Sequence, residues 1–150
     1  MSEFYCVVTN YGYFKLYEAM TQHVAFSASY IAVGDSNGSY YEPETTQTAL
    51  KNQKYAGGIF AQGKILKENY GYLYFDLQLP PSEGNYYIRE VGLFDDEDNL
   101  LAITKYPETY KNKAFDDSDK TLNIELQINL SKSAINSIVI DESGNLVSRD

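Results

Sequence analysis

The chain has 150 residues, of which 43% are hydrophobic, so one domain with a substantial core is expected and two domains are not. Its formal net charge of −9 argues against nucleic acid as a partner, because long-range repulsion would oppose binding to a phosphate backbone. No basic segment precedes an apolar one at the N-terminus, and no apolar run is long enough for a membrane span, so neither secretion nor membrane insertion is expected.

The first element is apolar, over residues 4–8, and fits a short strand or the entry to a helix. Thr9 is a suitable N-cap, and apolar residues then recur at spacings of three and four, which predicts an amphipathic helix over residues 10–22. The positions expected on its inward face are Tyr13, Leu16, Tyr17 and Met20. His23 follows the helix, where a protonated imidazole would suit the helix dipole.

Residues 24–33 are rich in β-formers and predict a strand, and the sequence GDSNGS after them predicts a turn. Residues 43–53 favour a short second helix, which the glycines at 57–58 would end. The turn has some of the residues of a calcium loop, but the other acidic ligands are missing at the required spacing. No metal site is therefore expected.

Residues 59–66 and 70–79 predict a β-hairpin, because an alternating apolar pattern begins at Ile59 and becomes regular in the second segment. In that second segment one face is apolar and should face the core, whereas the other face is polar or interfacial. The residues of the apolar face are Leu73, Phe75, Leu77 and Leu79. Residues 80–84, PPSEG, predict the next turn.

A second hairpin is the best specified part of the chain, with strands over residues 86–94 and 100–106 and a five-residue loop between them. The loop begins with four acidic residues, 95–98, which are expected to form a solvated turn. Arg89 and Glu90 lie in mid-strand on opposite faces, so each should be exposed or have a partner. Pro107 is expected to end the second strand.

Residues 107–120 are polar and irregular, which predicts a long loop with partner contacts, and Phe115 stands within it as an isolated aromatic anchor. Residues 122–130 alternate strictly and predict a strand, and residues 135–140 suggest a final one. The predicted fold class is α+β, mainly antiparallel β-sheet or sandwich with the N-terminal amphipathic helix and one short second helix.

The sequence shows no motif for an enzyme or a cofactor site. Cys6 lies among apolar residues and fits a small buried hydrophobe better than a nucleophile. His23 is the one histidine and has no partners for a catalytic triad or a metal site. A phosphate loop is also missing, because the glycines at 57–58 are not followed by the lysine and hydroxyl that it needs.

The sequence IREVGLF at residues 88–94, followed by an acidic turn, LAI at 101–103 and YPETYK at 106–111, carries a family resemblance. It resembles the phage tail-collar fibre protein family, the N-terminal domain of tail fibres on P2-like contractile-tailed phages. Weaker similarities outside the hairpin include AVGD at residues 32–35. Tyr87 occupies a position where tryptophan is common in the family, so an aromatic ring is kept.

The resemblance implies a structural virion protein that attaches a tail fibre to the baseplate of a contractile tail or tail-like particle. It also implies a homotrimer that is synthesised in the host cytoplasm. Residues 1–140 would be the attachment domain, and residues 141–150 a tail or the start of a linker to a fibre shaft. Because aromatic and arginine side chains dominate interface energetics, the expected partner-binding residues are Tyr87, Arg89, Tyr106, Tyr110 and Phe115.

The alternative function is a carbohydrate- or receptor-binding module of the fibre, since exposed tyrosines can stack on sugar rings. Contact with a host surface glycan is expected only if the distal part of the fibre is present. A hydrolase that acts on cell-wall polymers is a third and weaker hypothesis, because no catalytic constellation is visible.

Overall fold

The computed structural model describes residues 4–114 and 121–140, which form two antiparallel sheets and two helices. This α+β architecture is the predicted one. The strands are β1 Cys6–Val8, β2 Tyr30–Gly34, β3 Gln53–Gly58, β4 Ala61–Leu66, β5 Tyr70–Leu79, β6 Tyr86–Phe94, β7 Leu100–Lys111 and β8 Leu122–Ser131. The helices are α1 Asn10–Gln22 and α2 Lys132–Ser137, and a single 3-10 turn covers Ser36–Gly38. Neither helix in the described residues has the length and apolar character needed to cross a membrane.

The two sheets have the strand orders β1-β7-β6-β2-β3 and β4-β5-β8. Strands β3 and β4 are joined by only two residues, so the chain passes from one sheet to the other at a sharp corner. Strands β1 and β8 are edge strands on the opposite side, and a groove separates them there. The β6–β7 hairpin lies in the five-stranded sheet and carries the candidate site.

The main core lies between the two sheets, where apolar side chains of both are almost fully buried. The predicted inward face of β5 is confirmed, since all four of its residues are at most 1% exposed. The alternation of β8 is also confirmed, because Ile124, Leu126 and Ile128 are buried. A smaller core covers the outer face of the five-stranded sheet under the segment that contains Leu50.

Helix α1 has the predicted bounds and cap, because the Thr9 side chain accepts a hydrogen bond from the Gly12 N–H at 3.0 Å. Its inward face is only partly the predicted one: Leu16 is buried and Met20 packs against the main core as expected, but Gly12 and Ala19 are buried as well, and Tyr13 and Tyr17 are not. The reason is close packing against β7, since a Cβ at Gly12 would lie 2.0 Å from the Leu101 carbonyl oxygen.

The same rotation places Tyr13 and Tyr17 outside the core, where both are exposed, although the sequence predicted them to face inward. At the other end of the helix, His23 is the C-cap residue in a left-handed conformation with φ 57°. Its capping position is therefore confirmed.

The predicted helix over residues 43–53 is wrong. This segment is irregular up to Gln53, where β3 begins, and the glycines at 57–58 lie inside that strand. The backbone N–H groups of Lys51 and Asn52 donate to the Glu90 carboxylate instead of to helical carbonyls. A long-range contact therefore replaces the local hydrogen bonds of a helix.

Two strand predictions also need correction. Strand β7 continues past Pro107 to Lys111, so the predicted loop over residues 107–120 begins too early. The first half of the predicted strand over residues 135–140 is instead the end of helix α2, which the Ser131 side chain caps by accepting from the Ala134 N–H at 3.2 Å, and Ile140 forms an isolated β-bridge with Phe26. Ile135 and Ile138 are three residues apart and both buried, which fits helical rather than alternating spacing.

Candidate partner-binding surface

A bulge in the β6–β7 hairpin creates the candidate site. Ile88 pairs with Thr109 and Glu90 pairs with Lys105, so one residue of β6 lies opposite three residues of β7. Pro107 is one of these three, and a proline is tolerated at a bulge because no ladder hydrogen bond is required of it. The bulge therefore explains why β7 does not end at the proline.

Arg89 is the single β6 residue at the bulge, and its guanidinium is held on several sides. Nε and Nη2 both lie 2.8 Å from Oε2 of Glu108, and Nη1 donates to the Asp35 carbonyl oxygen at 2.9 Å. The guanidinium carbon lies 4.9 Å from the centre of the Tyr87 ring, within cation–π range. The arginine is therefore fixed in place before any partner arrives.

Tyr87 and Tyr110 lie directly opposite each other on the two strands. Their rings meet edge to face, with centroids 4.9 Å apart and an interplanar angle of 66°. Such cross-strand aromatic pairs stabilise a sheet, yet these side chains remain 43% and 45% exposed. We call the group formed by Tyr87, Arg89, Glu108 and Tyr110 the bulge surface.

A second group of side chains lies beside the bulge around Lys105. The Lys105 ammonium is 2.7 Å from Glu42 Oε2 and 5.4 Å from the centre of the Tyr40 ring. The hydrogen bonds that Glu42 accepts from Lys105 and from the Tyr5 hydroxyl hold the pKa of this carboxyl below its ordinary value. The Tyr40 hydroxyl donates to the Tyr106 carbonyl oxygen at 2.6 Å. This hydrogen bond joins the irregular segment between β2 and β3, residues 35–52, to the bulge.

Glu90 follows the bulge, is buried, and anchors the irregular segment between β2 and β3. The prediction that Arg89 and Glu90 lie on opposite faces does not hold across the bulge, because Ile88, Val91 and Leu93 all pack in the core between the sheets.

The Glu90 carboxylate accepts from the backbone N–H groups of Ser36 at 3.1 Å and of Lys51 and Asn52 at 2.9 Å. The Tyr41 hydroxyl also donates to it, at 2.6 Å. Burial, together with this hydrogen bond to Glu90, raises the pKa of Tyr41 above its ordinary value.

This cluster requires a glycine at position 34. A Cβ there would lie 2.4 Å from the Asn52 carbonyl oxygen and 2.5 Å from Oε2 of Glu90. The expectation that Arg89 and Glu90 each have a partner is confirmed. Arg89 binds Glu108 and the Asp35 carbonyl oxygen at the bulge. Glu90 binds the backbone of the irregular segment between β2 and β3.

Tyr106 lies apart from the Tyr87–Tyr110 pair. It lines the groove of about 620 Å³ between β1 and β8, together with Tyr5, Lys105 and Glu125. Its ring packs against the main core, and burial raises the pKa of its hydroxyl, with a smaller contribution from Glu125. Tyr106 therefore belongs to the groove and not to the bulge surface.

The acidic hairpin tip differs from the prediction at Asp95. Asp96, Glu97 and Asp98 are exposed, as expected for a solvated turn, but Asp95 is only 6% exposed. Burial alone would raise the Asp95 pKa, and hydrogen bonds from the backbone N–H groups of Asn99 and Glu97 and from the Tyr11 hydroxyl outweigh it and lower the pKa. Asp95 therefore folds the turn and ties it to α1.

The one thiol of the chain is not activated for bond-making chemistry. Burial raises the pKa of the Cys6 thiol to about 11, so the thiol stays protonated near neutral pH and is a poor nucleophile. In residues 4–114 and 121–140, no three His, Cys, Asp or Glu side chains are grouped in a way that would hold a metal ion.

Comparisons with known proteins agree with this structural character. The family model described as phage tail-collar fibre protein, N-terminal, matches residues 1–150. The chain belongs to the phage tail-collar fibre protein family. It is similar to the probable tail fibre protein of Escherichia phage P2, with 30% identity over 122 residues, which are 80% of this chain and 18% of that relative. No solved structure matches.

Membership of the tail-collar fibre family supports a structural role in a phage tail fibre and therefore a place in the virion tail. The family is one of structural proteins and not of enzymes. The match covers 18% of the length of the P2 relative. The partners of a complete fibre are therefore a matter for proposal.

In this tail-collar fibre domain, the structure brings three of the five predicted site residues together. Tyr87, Arg89 and Tyr110 share the bulge surface, and Tyr106 lines the neighbouring groove. Phe115 lies outside the residues that the structure describes. The bulge explains the separation, because it turns residues 106–108 away from simple cross-strand pairing.

Sequence reasoning missed the residues that support this surface. Glu108 was available as a signal, since a mid-strand arginine calls for a carboxylate and Glu108 follows the proline in the same hairpin. Tyr40 and Glu42 gave no signal, because the segment around them is irregular and has no periodicity. Their position depends on long-range contacts with β6 and β7.

Proposed function

We propose that this chain is the attachment domain of a tail fibre, which joins the fibre to baseplate proteins of a contractile tail or tail-like particle. The observation that carries the proposal is the bulge surface. It places two exposed tyrosines and a fixed arginine side by side on a two-stranded ribbon. Tyrosine and arginine are the residues that most often dominate binding energy at protein interfaces.

The mechanism is mechanical and needs no bond to be made or broken. Arg89 and the tyrosine pair are already oriented in the unbound domain, so docking orders few side chains and loses little conformational entropy. Strands β6 and β7 lie inside the five-stranded sheet and would carry load from the docked surface into the core. The fibre would thus keep a defined orientation on the tail.

The proposal includes three copies of the chain, as the family resemblance implies. The copies would bury part of the tyrosine-rich surface against one another or against baseplate proteins. Tyr106, in the groove between β1 and β8, is a candidate for either contact. Residues 1–140 would form the attachment domain, and residues 141–150, which follow the last described residue, would lead toward a shaft.

The carbohydrate-binding alternative is less well supported by the geometry. A sugar ring stacks on an open aromatic face, and here the Arg89 guanidinium already lies over the Tyr87 ring at 4.9 Å. The alternative predicts that this 150-residue chain binds glycans without the distal fibre. A glycan array with the isolated chain separates the two functions, and specific binding there would favour the alternative.

The attachment function is tested by binding complete fibres to tail particles that lack fibres. Tyr87→Ala combined with Tyr110→Ala should weaken binding about tenfold or more, because two exposed anchors are removed. Bound fibre is counted by sedimentation of the particles. The matched control is Phe60→Ser, which removes an exposed aromatic at the β3–β4 corner, at the sheet edge that β2 separates from the hairpin.

The control variant should bind like the wild type. Equal binding by the tyrosine variant and by the control would contradict the proposal that the bulge surface docks on the tail. Thermal unfolding of both variants shows whether either change has altered the fold.

A further inference from the structure

Helix α1 exposes three aromatic side chains that the core does not use. Tyr13, Phe14 and Tyr17 are 56%, 55% and 61% exposed, and Tyr17 is a helix neighbour of both others, four residues after Tyr13 and three after Phe14. Single exposed apolar residues are ordinary, but a contiguous aromatic patch marks an interaction surface. We call these three residues the aromatic helix face.

An acidic groove of about 350 Å³ lies next to this face, between α1, the segment after it and the β6–β7 hairpin tip. Four carboxylates line the groove, against one ammonium, so the excess is three negative charges. The carboxylates are those of Glu18, Asp95, Asp96 and Glu97, and the ammonium is that of Lys15, which is 3.4 Å from Glu18.

The face and the groove are held together as one surface. The Tyr11 hydroxyl donates to Asp95 Oδ2 at 3.0 Å, which fixes the hairpin tip against the helix. The Tyr11 ring lies 6.5 Å from the Phe14 ring, and the Lys15 ammonium lies about 6 Å from both ring centres. A partner that covers Phe14 would therefore lie beside the carboxylates, whereas Tyr13 is at the other end of the face and lines the groove between β1 and β8.

We propose that the aromatic helix face and the acidic groove form a second docking surface, which takes a tail protein that presents arginine or lysine side chains among aliphatic ones. The carboxylates complement basic side chains, and tyrosine and phenylalanine rings also attract cations. The inference rests on the proposed function, because its occupant is a component of the tail.

A second copy of this chain suits the surface less well. The groove has an excess of three negative charges, so contact with an acidic surface of another copy is opposed at this place in particular. A basic partner is attracted by the negative potential of the groove. At low ionic strength this attraction would speed its association with the groove.

The test uses complete fibres and tail particles that lack fibres, at low and at high salt. One double variant, Phe14→Ser with Tyr17→Ser, should weaken binding about tenfold or more at both salt concentrations, because it removes aromatic anchors. Another, Asp96→Asn with Glu97→Gln, should weaken binding at low salt, and the difference should shrink at high salt because exposed charges are screened. Matched controls are Phe60→Ser and Glu68→Gln, both exposed and distant from α1 in sequence.

Each outcome has a defined meaning. Unchanged binding by either double variant overturns this inference. The attachment function is still supported in that case if the double tyrosine variant of the bulge surface weakens binding. If none of the variants matters, attachment through this domain fails as well. A fall in the solution mass of the aromatic variant would show that a second copy occupies the face, which also overturns the inference.

Discussion

Glu90 is the residue on which the candidate site depends most, because it is a carboxylate enclosed in the protein and satisfied by four donors. Three of these donors are backbone N–H groups of the irregular segment after β2, and the fourth is the Tyr41 hydroxyl. Without the carboxylate, buried N–H groups would lose their acceptor, which costs more than the net gain from an ordinary hydrogen bond.

The substitution Glu90→Gln tests this role. The amide of the variant keeps one acceptor oxygen, but its NH₂ group would face the backbone N–H groups that donate to the carboxylate in the wild type. The free energy of unfolding should therefore fall by about 2–4 kcal/mol. Urea denaturation measures the change. The control is Glu68→Gln in the exposed β4–β5 turn, for which a change within about 0.5 kcal/mol is expected. A Glu90 variant as stable as this control would refute the anchoring role.

Residue identity alone predicted part of this arrangement. A mid-strand Glu90 and Arg89 indicated that each needs a partner, since a charge in a sheet is costly without one. The sequence did not indicate which groups would contact Glu90. Lys51 and Asn52 lie 39 and 38 residues before it, in a segment without periodicity. Local sequence patterns carry no information about such contacts.

At the scale of elements, the β6–β7 hairpin is stabilised at its tip by Asp95. The carboxylate accepts from the N–H groups of Glu97 and Asn99 and from the Tyr11 hydroxyl, so one residue closes the turn and joins it to α1. These hydrogen bonds favour the ionised form and lower the pKa of Asp95 below its ordinary 3.8, although burial opposes them.

A pH dependence follows from that shift. A carboxyl whose pKa is lower in the folded state contributes stability that is fully present above pH 3.8 and is lost as pH falls through the folded pKa. The loss of stability on acidification below about pH 4 should therefore be smaller in Asp95→Asn than in the wild type. Thermal unfolding between pH 6 and pH 2, at about one-unit steps, measures the difference.

Asp96→Asn is the matched control, because Asp96 is exposed in the same turn. It should follow the wild-type pH profile closely. If the Asp95 variant follows the wild-type profile as well, the carboxylate does not stabilise the turn in its ionised form.

Elements with strong local signals were predicted correctly, and those shaped by distant contacts were not. The alternation of β5 and β8, the turn between β6 and β7 and the Thr9 cap of α1 are local features, and the structure contains all of them. On the inward face of α1, Leu16 and Met20 were predicted correctly and Tyr13 and Tyr17 were not, because the packing of Gly12 against β7 sets the helix rotation. The end of β7 was wrong because a bulge accommodates Pro107.

At the scale of the whole molecule, the net charge of −9 and the exposed aromatic side chains are the features from which we infer protein partners. Membership of the tail-collar fibre family supports the structural role. Composition alone could not locate the two surfaces that we propose for docking. The bulge surface combines residues on β6 and β7, and the aromatic helix face depends on the rotation of α1.

The most direct test of the proposed attachment function is the solution mass of this chain, alone and mixed with a candidate baseplate protein of the same phage. Sedimentation equilibrium should give three times the 17.0 kDa chain mass for the chain alone, and a larger complex on mixing. A monomer whose mass does not change when the baseplate protein is added would contradict both the trimer and the attachment.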